Sequence, residues 1–507
     1  MAAAMRRENF SATYAFAAAA QRCPDRPAFV DDRGMLTWRQ LDQRCDALAA
    51  ALQALPTGQP KTIGIMCRNH RGFVEALVAS HRIGADVLLL NTSFAAPALS
   101  EILNREGADA IVYDEEFTDA VIGALGEKPS IAAVIGWSEE SAAGSHTVET
   151  LINDFAGHRP KPATKKSRTI LLTSGTTGTP KGAKLGSGDL ATLVGVLERT
   201  PWRAQETVVI AAPMFHAWGY GQLLFSAVMA CTIVTRRKFD PEVTLKLIDR
   251  HAASGVVVVP VMLDRIMELP EQIRNRYSCR SLRFAAASGS RLRPDVAIAF
   301  MDQYGDVVIN NYNATEAGMI ASARPEDLRA APTTAGKPAP GTQIRILDER
   351  FNELPVGEVG QIFVRSGTLF GGYTSDTTKG FHDGFMASGD VGYFDEGGRL
   401  FVVGRDDEMI ISGGENIYPL EVEKALMTHP AVTEAVVLGV EDEKYGQRLV
   451  GFVIPRGPET ATPDALKQHV RETLASYKVP REIIILNELP RNATGKVLRA
   501  ALRAHID

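Results

Sequence analysis

Apolar residues in the first third of the chain switch between two spacings. From Thr37 to Leu55 they recur at helical intervals (Leu41, Ala47, Leu48, Ala51, Leu52), and the turn Pro56 to Pro60 predicts where that helix ends. Ile63 to Met66 reads as a short buried strand, Gly72 to Ile83 as a helix and Val87 to Leu90 as a second strand. Apolar strands joined through helices predict a parallel sheet covered on both faces. The same signal returns at Val208 to Ala211, Gly255 to Val259 and Val307 to Asn310. Upstream, the alanine-rich stretch Ala12 to Ala20 follows Arg6-Arg7 and faintly imitates a secretory leader. Glu8 and the closing Gln21-Arg22 favour an ordinary first helix instead.

The pattern changes after about Ala330. Pro332, Gly336, Pro338, Pro340 and Gly341 punctuate a stretch that leads into short strands such as Gln343 to Leu347 and Gln361 to Val364. A second change follows Arg405, where the acidic, turn-prone Asp406-Asp407-Glu408 precedes a further α/β pattern. That pattern holds a helix at Glu421 to Leu426 and strands at Ala435 to Val440 and Leu449 to Ile454. The expected fold class is α/β. Residues 1–405 form a large N-terminal domain of two doubly wound α/β subdomains (about 1–165 and 166–330) and a small β-barrel (331–405). Residues 406–408 act as a hinge, and 409–507 form a small, mobile α+β C-terminal domain.

Composition narrows the classes. With 507 residues the chain holds more than one ordinary core, and 45% hydrophobic with 23% charged residues is the balance of a globular protein. Lysine and arginine number 55 against 60 acidic residues, a net charge of −5, so no nucleic-acid partner is expected. Five cysteines (Cys23, Cys45, Cys67, Cys231, Cys279) include no C-x-x-C pair, which argues against a disulfide framework and a zinc site and suits a reducing cytoplasm. No run of about 18 apolar residues is present to span a membrane, although peripheral contact stays compatible.

The most informative stretch runs from Thr169 to Gly182. A strand enters a loop in which Thr173, Ser174, Gly175, Thr176, Thr177 and Gly178 are all hydroxyl residues or glycines, and Lys181 follows. Glycines let backbone N–H groups converge on a phosphate, hydroxyls donate further bonds and the lysine adds charge. Pro180 before the lysine and Gly182 after it depart from the nucleotide-hydrolase P-loop.

With this loop the chain resembles the adenylate-forming enzymes, and acyl-CoA synthetases in particular, from about Pro24 to Arg499. The opening segments Pro24 to Val30 and Leu36 to Leu41 match that family's usual start. The resemblance implies a ligase that joins a carboxylic acid to AMP, releases pyrophosphate and moves the acyl group to CoA. ATP, Mg²⁺ and CoA are its implied small-molecule requirements. Thr173 to Lys181 would cradle the β- and γ-phosphates. Asn311-Tyr312-Asn313-Ala314-Thr315-Glu316 is similar to the family's Tyr-Gly-x-Thr-Glu motif: Tyr312 beside Asn311 would stack on adenine, Thr315 would bond the α-phosphate, and Glu316 with Thr177 would hold Mg²⁺. Asn313 stands where glycine is usual. Ser288 and Gly289 match the small-residue segment lining the adenine and acyl pockets. Asp390 in Ser388-Gly389-Asp390 would accept the ribose hydroxyls, assisted by Arg405, and His216 would lie beside the acid's carboxylate.

Two anions meet in the first half-reaction, so positioning and charge neutralisation are needed rather than a protein nucleophile. By resemblance Lys496, in Pro490 to Lys496, supplies charge in that step. The small domain would then swing about Asp407 and present Gly413 and Gly414, whose lack of side chains leaves a tunnel for the CoA arm. The acyl pocket is expected to include Trp218, Gly221, Val259, Met262, Ser288 and Gly318 to Ile320, mostly apolar and without a basic partner for a second carboxylate. This favours a medium- or long-chain fatty acid and hence a role in lipid metabolism. An aryl acid, or a carrier protein as acceptor, are the alternatives, and a catalytically silent nucleotide-binding protein is a remote one. The assembly, monomer or homodimer, is left open.

Overall fold

The computed structural model describes residues 11–126, 131–139, 146–173, 181–184, 190–367, 380–412, 415–442, 445–457, 462–492 and 495–506. By contacts the chain divides into two compact units. One comprises Met1–Thr333, Ala339–Gly341 and Ser366–Thr378; the other comprises Thr334–Pro338, Thr342–Arg365 and Lys379–Asp507. The segment Asp406–Glu408 falls inside the second unit.

The first unit is built on two mainly parallel sheets. One runs Ala132–Trp137, Ala110–Asp114, Thr62–Met66, Asp86–Leu89, Thr169–Thr173 and Lys181–Lys184, with the last pair antiparallel. The other places Val308–Ala314, Phe284–Ala287, Gly255–Val258, Thr207–Ile210, Thr232–Val234 and Pro27–Asp31 side by side. Sheet membership does not follow a cut near residue 165. The early strand Pro27–Asp31 joins the second sheet, with Phe29 opposite Ile233, and Thr169–Thr173 joins the first, with Leu88 opposite Ile170. Parallel partners can lie far apart in sequence, so apolar patterning locates such strands without saying which sheet takes them.

Local chemistry explains the helices. Trp38–Gln53 starts at a capping box in which Thr37 Oγ1 accepts from the Gln40 N–H and Gln40 Oε1 accepts from the Thr37 N–H. It buries Trp38, Leu41, Cys45, Leu48 and Leu52 on one face. The helix Arg71–Arg82 is buried along its whole length, charged residues included. Arg71 meets Asp31 at 2.6 Å, Glu75 meets Arg44 at 2.5 Å, and Arg82 meets Asp42 at 2.5 Å and Asp46 at 2.8 Å. Removing one partner of such a buried pair typically costs about 3–5 kcal/mol, because the other charge is stranded.

In the second unit an antiparallel sheet sets Gln343–Leu347, Gly360–Arg365 and Phe385–Phe394 in order, with Phe381–His382 and Leu400–Arg405 both paired to the long strand. A further sheet carries Ile410–Ser412, Gly446–Pro455, Val432–Asp442 and Glu482–Ile485. Ala435, Val437, Leu449 and Val453 pack with Leu426, Leu466 and Val470 on one face; Val436, Leu438, Val450 and Phe452 pack with Leu489 and Leu502 on the other. Burial on both faces is why Ala435 to Val440 reads as an unbroken apolar run. No helix among the described residues is long and apolar enough to cross a membrane.

Candidate active site

The strand Thr169–Thr173 lies parallel to Asp86–Leu89 and returns antiparallel through Lys181–Lys184, with Thr173 opposite Lys181. The polar loop thus closes a hairpin at the carboxyl end of a parallel strand, the edge where open α/β sheets take ligands. Ser174, Gly175, Thr176, Thr177, Gly178 and the side chains of Thr173 and Lys181 lie outside the described residues. The root of the strand is tied into a buried chain. Thr169 Oγ1 is 3.0 Å from His81 Nε2 and 2.9 Å from the Tyr220 hydroxyl, and His81 Nδ1 is 2.5 Å from Ser167 Oγ. Burial pushes His81 down to about 4 and Tyr220 up to about 12, so both are neutral near pH 7.

In the second sheet, the parallel strands Thr207–Ile210, Gly255–Val258, Phe284–Ala287 and Val308–Ala314 are successive neighbours, so the residues following them share one edge. Past the first strand, His216 is the N-cap residue of the helix Ala217–Val228. Its Nε2 is buried without a hydrogen-bond partner among the described residues, and burial lowers its pKa to about 4. Two residues position this segment. Asn69 accepts from the Met214 N–H at 2.8 Å and donates to the Ala212 carbonyl at 2.9 Å. Gly219 packs so closely that a β-carbon there would sit 2.2 Å from the Pro213 carbonyl oxygen, whereas one at Gly221 would meet open space.

A continuous wall follows. The Trp218 indole N–H donates to the Val258 carbonyl at 3.0 Å, which fixes the ring against the second strand. Val259, which follows Val258, and Met262 in the next helix are both buried. A β-carbon at Gly289, which has φ +100°, would lie in ordinary contact with Val259 Cγ1 at 3.7 Å. Ser288, also buried, accepts from Asn313 Nδ2 at 3.1 Å. His216, Trp218, Val259, Ser288, Gly289 and Asn313 therefore lie along one sheet edge.

Asn311 is buried in the last strand; its amide donates to the Ala287 carbonyl at 3.4 Å and accepts from Ser322 Oγ at 3.1 Å. Val308–Ala314 turns tightly into Gly318–Ala323, the Ala317 N–H bonding the Ala314 carbonyl at 3.2 Å and Gly318 taking φ +69°. Thr315 and Glu316 occupy this hairpin tip, next to the half-buried Tyr312. A partly exposed carboxylate beside a hydroxyl is a hard oxygen donor set that fits Mg²⁺ with water completing its shell.

In the second unit, Asp390 and Arg405 are paired across adjacent strands, with Arg405 Nη1 donating to Asp390 Oδ1 at 3.3 Å. Ser388 Oγ accepts the Asp390 N–H at 3.1 Å, and Gly389 (φ +84°) leaves room for the guanidinium, which would stand 3.3 Å from a β-carbon. Asp406–Glu408 is a single 3-10 turn. Asp406 accepts from Gln361 Nε2 at 3.1 Å, while Glu408 meets Arg499 at 3.5 Å. Lys496 is exposed in a short loop where its N–H donates to Asn492 Oδ1 at 2.9 Å. Gly413, Gly414 and the Asp407 side chain lie outside the described residues.

Asn69 and the chain His81–Thr169–Tyr220 had no distinct signal in the sequence, since each acts on a segment remote from it along the chain. Cys67, His70 and Asp114 also converge, with candidate ligand atoms within 4.8 Å of one another. This cluster is already satisfied internally. His70 Nδ1 accepts from the Gly72 N–H at 3.1 Å, its Nε2 lies 2.7 Å from Asp114 Oδ1, and Asp114 Oδ2 accepts from the Arg68 N–H at 2.9 Å. It serves as the N-cap of the buried helix Arg71–Arg82.

Residues 16–374 match the family model described as AMP-binding enzyme, and residues 421–496 match that of the AMP-binding enzyme C-terminal domain. The 2-succinylbenzoate–CoA ligase of Geobacillus sp. (strain WCH70) is 33% identical over 95% of this chain and 94% of its own length. The indoleacetate–CoA ligase of Aromatoleum aromaticum is 30% identical over 92% of each. Among solved structures, the anthranilate CoA ligase in complex with anthranoyl-AMP superposes with a TM-score of 0.86 at 25% identity, covering 97% of this chain and 96% of that one.

Proposed function

Because the chain belongs to the AMP-binding enzyme family, we propose that it is an aryl-acid–CoA ligase acting on aromatic monocarboxylic acids. The reaction class is ATP-dependent acid–CoA ligation through an acyl-AMP, with ATP, Mg²⁺ and CoA as its requirements. The fatty acid expected from the sequence gives way to the aryl acid held as its alternative. Relatives named for three different aromatic acids span nearly the whole chain and support the aryl part of this reading; 2-succinylbenzoate carries two carboxylates, so the restriction to monoacids rests on the pocket residues alone.

The geometric observation that carries it is the Trp218 ring, oriented by its N–H bond to the Val258 carbonyl at the sheet edge where Val259 is buried. A rigid plane suits a planar ring better than a flexible alkyl chain. None of the wall residues named above is basic, which disfavours a second carboxylate within it.

In the first half-reaction a carboxylate oxygen of the acid attacks the α-phosphorus of ATP and pyrophosphate leaves. His216, neutral and with a ring nitrogen that has no partner among the described residues, is suited to orient the acid's carboxyl group. Thr315 is assigned to the α-phosphate, Tyr312 to adenine, and Asp390 with Arg405 to the ribose. Glu316 would hold Mg²⁺, which when bound would supply charge neutralisation on the phosphates. Lys496 adds positive charge where two anions meet. In the second half-reaction the CoA thiolate attacks the acyl carbon and AMP leaves.

The test is CoA-dependent AMP formation across benzoate, hydroxybenzoates, aminobenzoates, phenylacetate and indoleacetate, against octanoate, palmitate and 2-succinylbenzoate. An aromatic monoacid should exceed the alkanoates in kcat/KM by at least about tenfold, the scale of a modest pocket mismatch. Alkanoates winning would refute the aryl reading and restore the fatty acid.

A further inference from the structure

Two asparagines on one strand differ in a way the fold itself does not require. In Val308–Ala314, the Asn311 amide is satisfied at both ends, by the Ala287 carbonyl and Ser322 Oγ. Asn313, two residues on, donates from Nδ2 to Ser288 Oγ at 3.1 Å, but its Oδ1 is buried and has no partner among the described residues. A buried amide oxygen without a donor is unfavourable, and such groups are few in folded proteins.

The position of this oxygen is defined on three sides. The pairing of Val308–Ala314 with Gly318–Ala323 slips between Tyr312 and Asn313, so that Tyr312 faces Ala321 while Asn313 faces Met319. A slip of this kind re-aims a side chain at the end of a strand. The bond to Ser288 then anchors the Asn313 amide at the end of the strand Phe284–Ala287, which pairs directly with Gly255–Val258, whose last carbonyl accepts from the Trp218 indole. Asn313 therefore stands in the same wall as the fixed indole. An amide oxygen accepts and cannot donate, so the partner that completes it must bring an N–H or O–H.

Resting on the aryl-acid reading, we propose that Asn313 is a specificity-determining residue that selects aromatic acids bearing a hydrogen-bond donor on the ring system, such as a phenolic hydroxyl, an aromatic amine or a ring N–H. With such an acid bound, Oδ1 gains its missing donor. With a bare ring, the oxygen remains desolvated and unpaired. Discrimination follows from that difference, because a site holding a polar group rejects the analogue that leaves it unpaired.

The experiment compares matched acids in the wild-type enzyme and in Asn313→Leu, Asn313→Ala and Asn313→Gly. The pairs are hydroxybenzoates and aminobenzoates, each against benzoate and the methylbenzoate of the same substitution pattern, read as kcat/KM for pyrophosphate release. The wild type should favour the donor-bearing member of at least one pair on the order of tenfold to a hundredfold, the range for one buried neutral hydrogen bond. In the variants that ratio should collapse to within a few-fold of unity while benzoate is still activated, a change in selectivity that mere loss of folding would not produce. Turnover of aromatic acids with the same ratio in wild type and variants, or a wild type that prefers the bare ring, overturns the role of Asn313 and leaves the aryl reading standing. Turnover of alkanoates with no aromatic acid accepted overturns both.

Discussion

Gly219→Ala is a one-carbon change whose consequence can be worked from the coordinates. The added β-carbon would lie 2.2 Å from the Pro213 oxygen, 2.6 Å from its carbonyl carbon and 2.9 Å from the Ala212 oxygen. Ordinary contact begins near 3.5 Å, so backbone atoms must part by about 1 Å. The atoms obstructed are main chain and cannot swing aside as a side-chain tip would. Asn69 also clamps the same segment through Met214 and Ala212. Overpacking of this kind costs roughly 1–3 kcal/mol. The functional cost is larger, because the displaced segment ends at His216, and a misplacement of about 1 Å near reacting groups can cost on the order of 10²-fold in rate. Gly221→Ala is the matched control: same helix, two residues later, open space around the new carbon. It should hold or raise stability by about 0.5–1 kcal/mol, since alanine is the better helix former. The assays are thermal unfolding and acid-dependent ATP–pyrophosphate exchange. Wild-type melting and exchange in Gly219→Ala would refute the close-packing argument.

Lys496→Ala should slow adenylation by roughly 10²–10³-fold, the scale for one preorganised charged donor, while acyl transfer from supplied acyl-AMP largely survives; equal losses in both half-reactions would remove Lys496 from the first step. Asp407→Pro, in the turn tied on one side to Gln361 and on the other to Arg499, should slow acyl transfer far more than pyrophosphate exchange, and unchanged rates in both would show that this turn is no pivot. His81, held neutral with its pKa lowered to about 4, should make stability fall with acidification. The unfolded imidazole takes a proton below about pH 6.5 and the buried one does not, so stability is complete above that pH and is lost between about 6.5 and 4, on the order of 3 kcal/mol in all. Urea unfolding across this window on the wild type and His81→Gln checks it: an identical pH slope in both would contradict the assignment.

Much of the strand and helix pattern was legible because so many elements are buried on both sides. The apolar runs at Ile63 to Met66, Val208 to Ala211 and Gly255 to Val259 lie within a residue of the strands found. The helix expected from Thr37 appears as Trp38–Gln53 with Thr37 as its cap. Long-range pairing was not legible, and so the early strand beside Thr232–Val234 could not be assigned to its sheet. The site divides in the same way. Polar motifs such as Ser388-Gly389-Asp390 announce themselves in sequence, and the pairing of Asp390 with Arg405 completes one. Supports such as Asn69 do not, because what Asn69 touches, Met214 and Ala212, is set by the fold and not by its neighbours in the chain. Asn313 was visible as an unusual residue, but its meaning depends on Ser288, which lies on another strand.

The seating of Pro27–Asp31 beside Thr232–Val234 also constrains how the protein is made. During synthesis Phe29 leaves the ribosome long before Ile233 exists to receive it. At about 5–20 residues per second, the wait is on the order of 10–40 s. For that interval a strand with buried Ala28 and Phe29, preceded by the apolar helix Tyr14–Arg22, has no finished sheet to join. The nascent chain therefore carries a strand paired on one side only, to Gly34–Thr37, through nearly half of translation, the period in which a holding chaperone or a slowed codon run would have the most effect on yield. It follows too that a shortened expression product ending before Thr232 would release a chain whose first strand has lost its parallel partner, and such a product should be recovered in inclusion bodies rather than as a smaller folded domain.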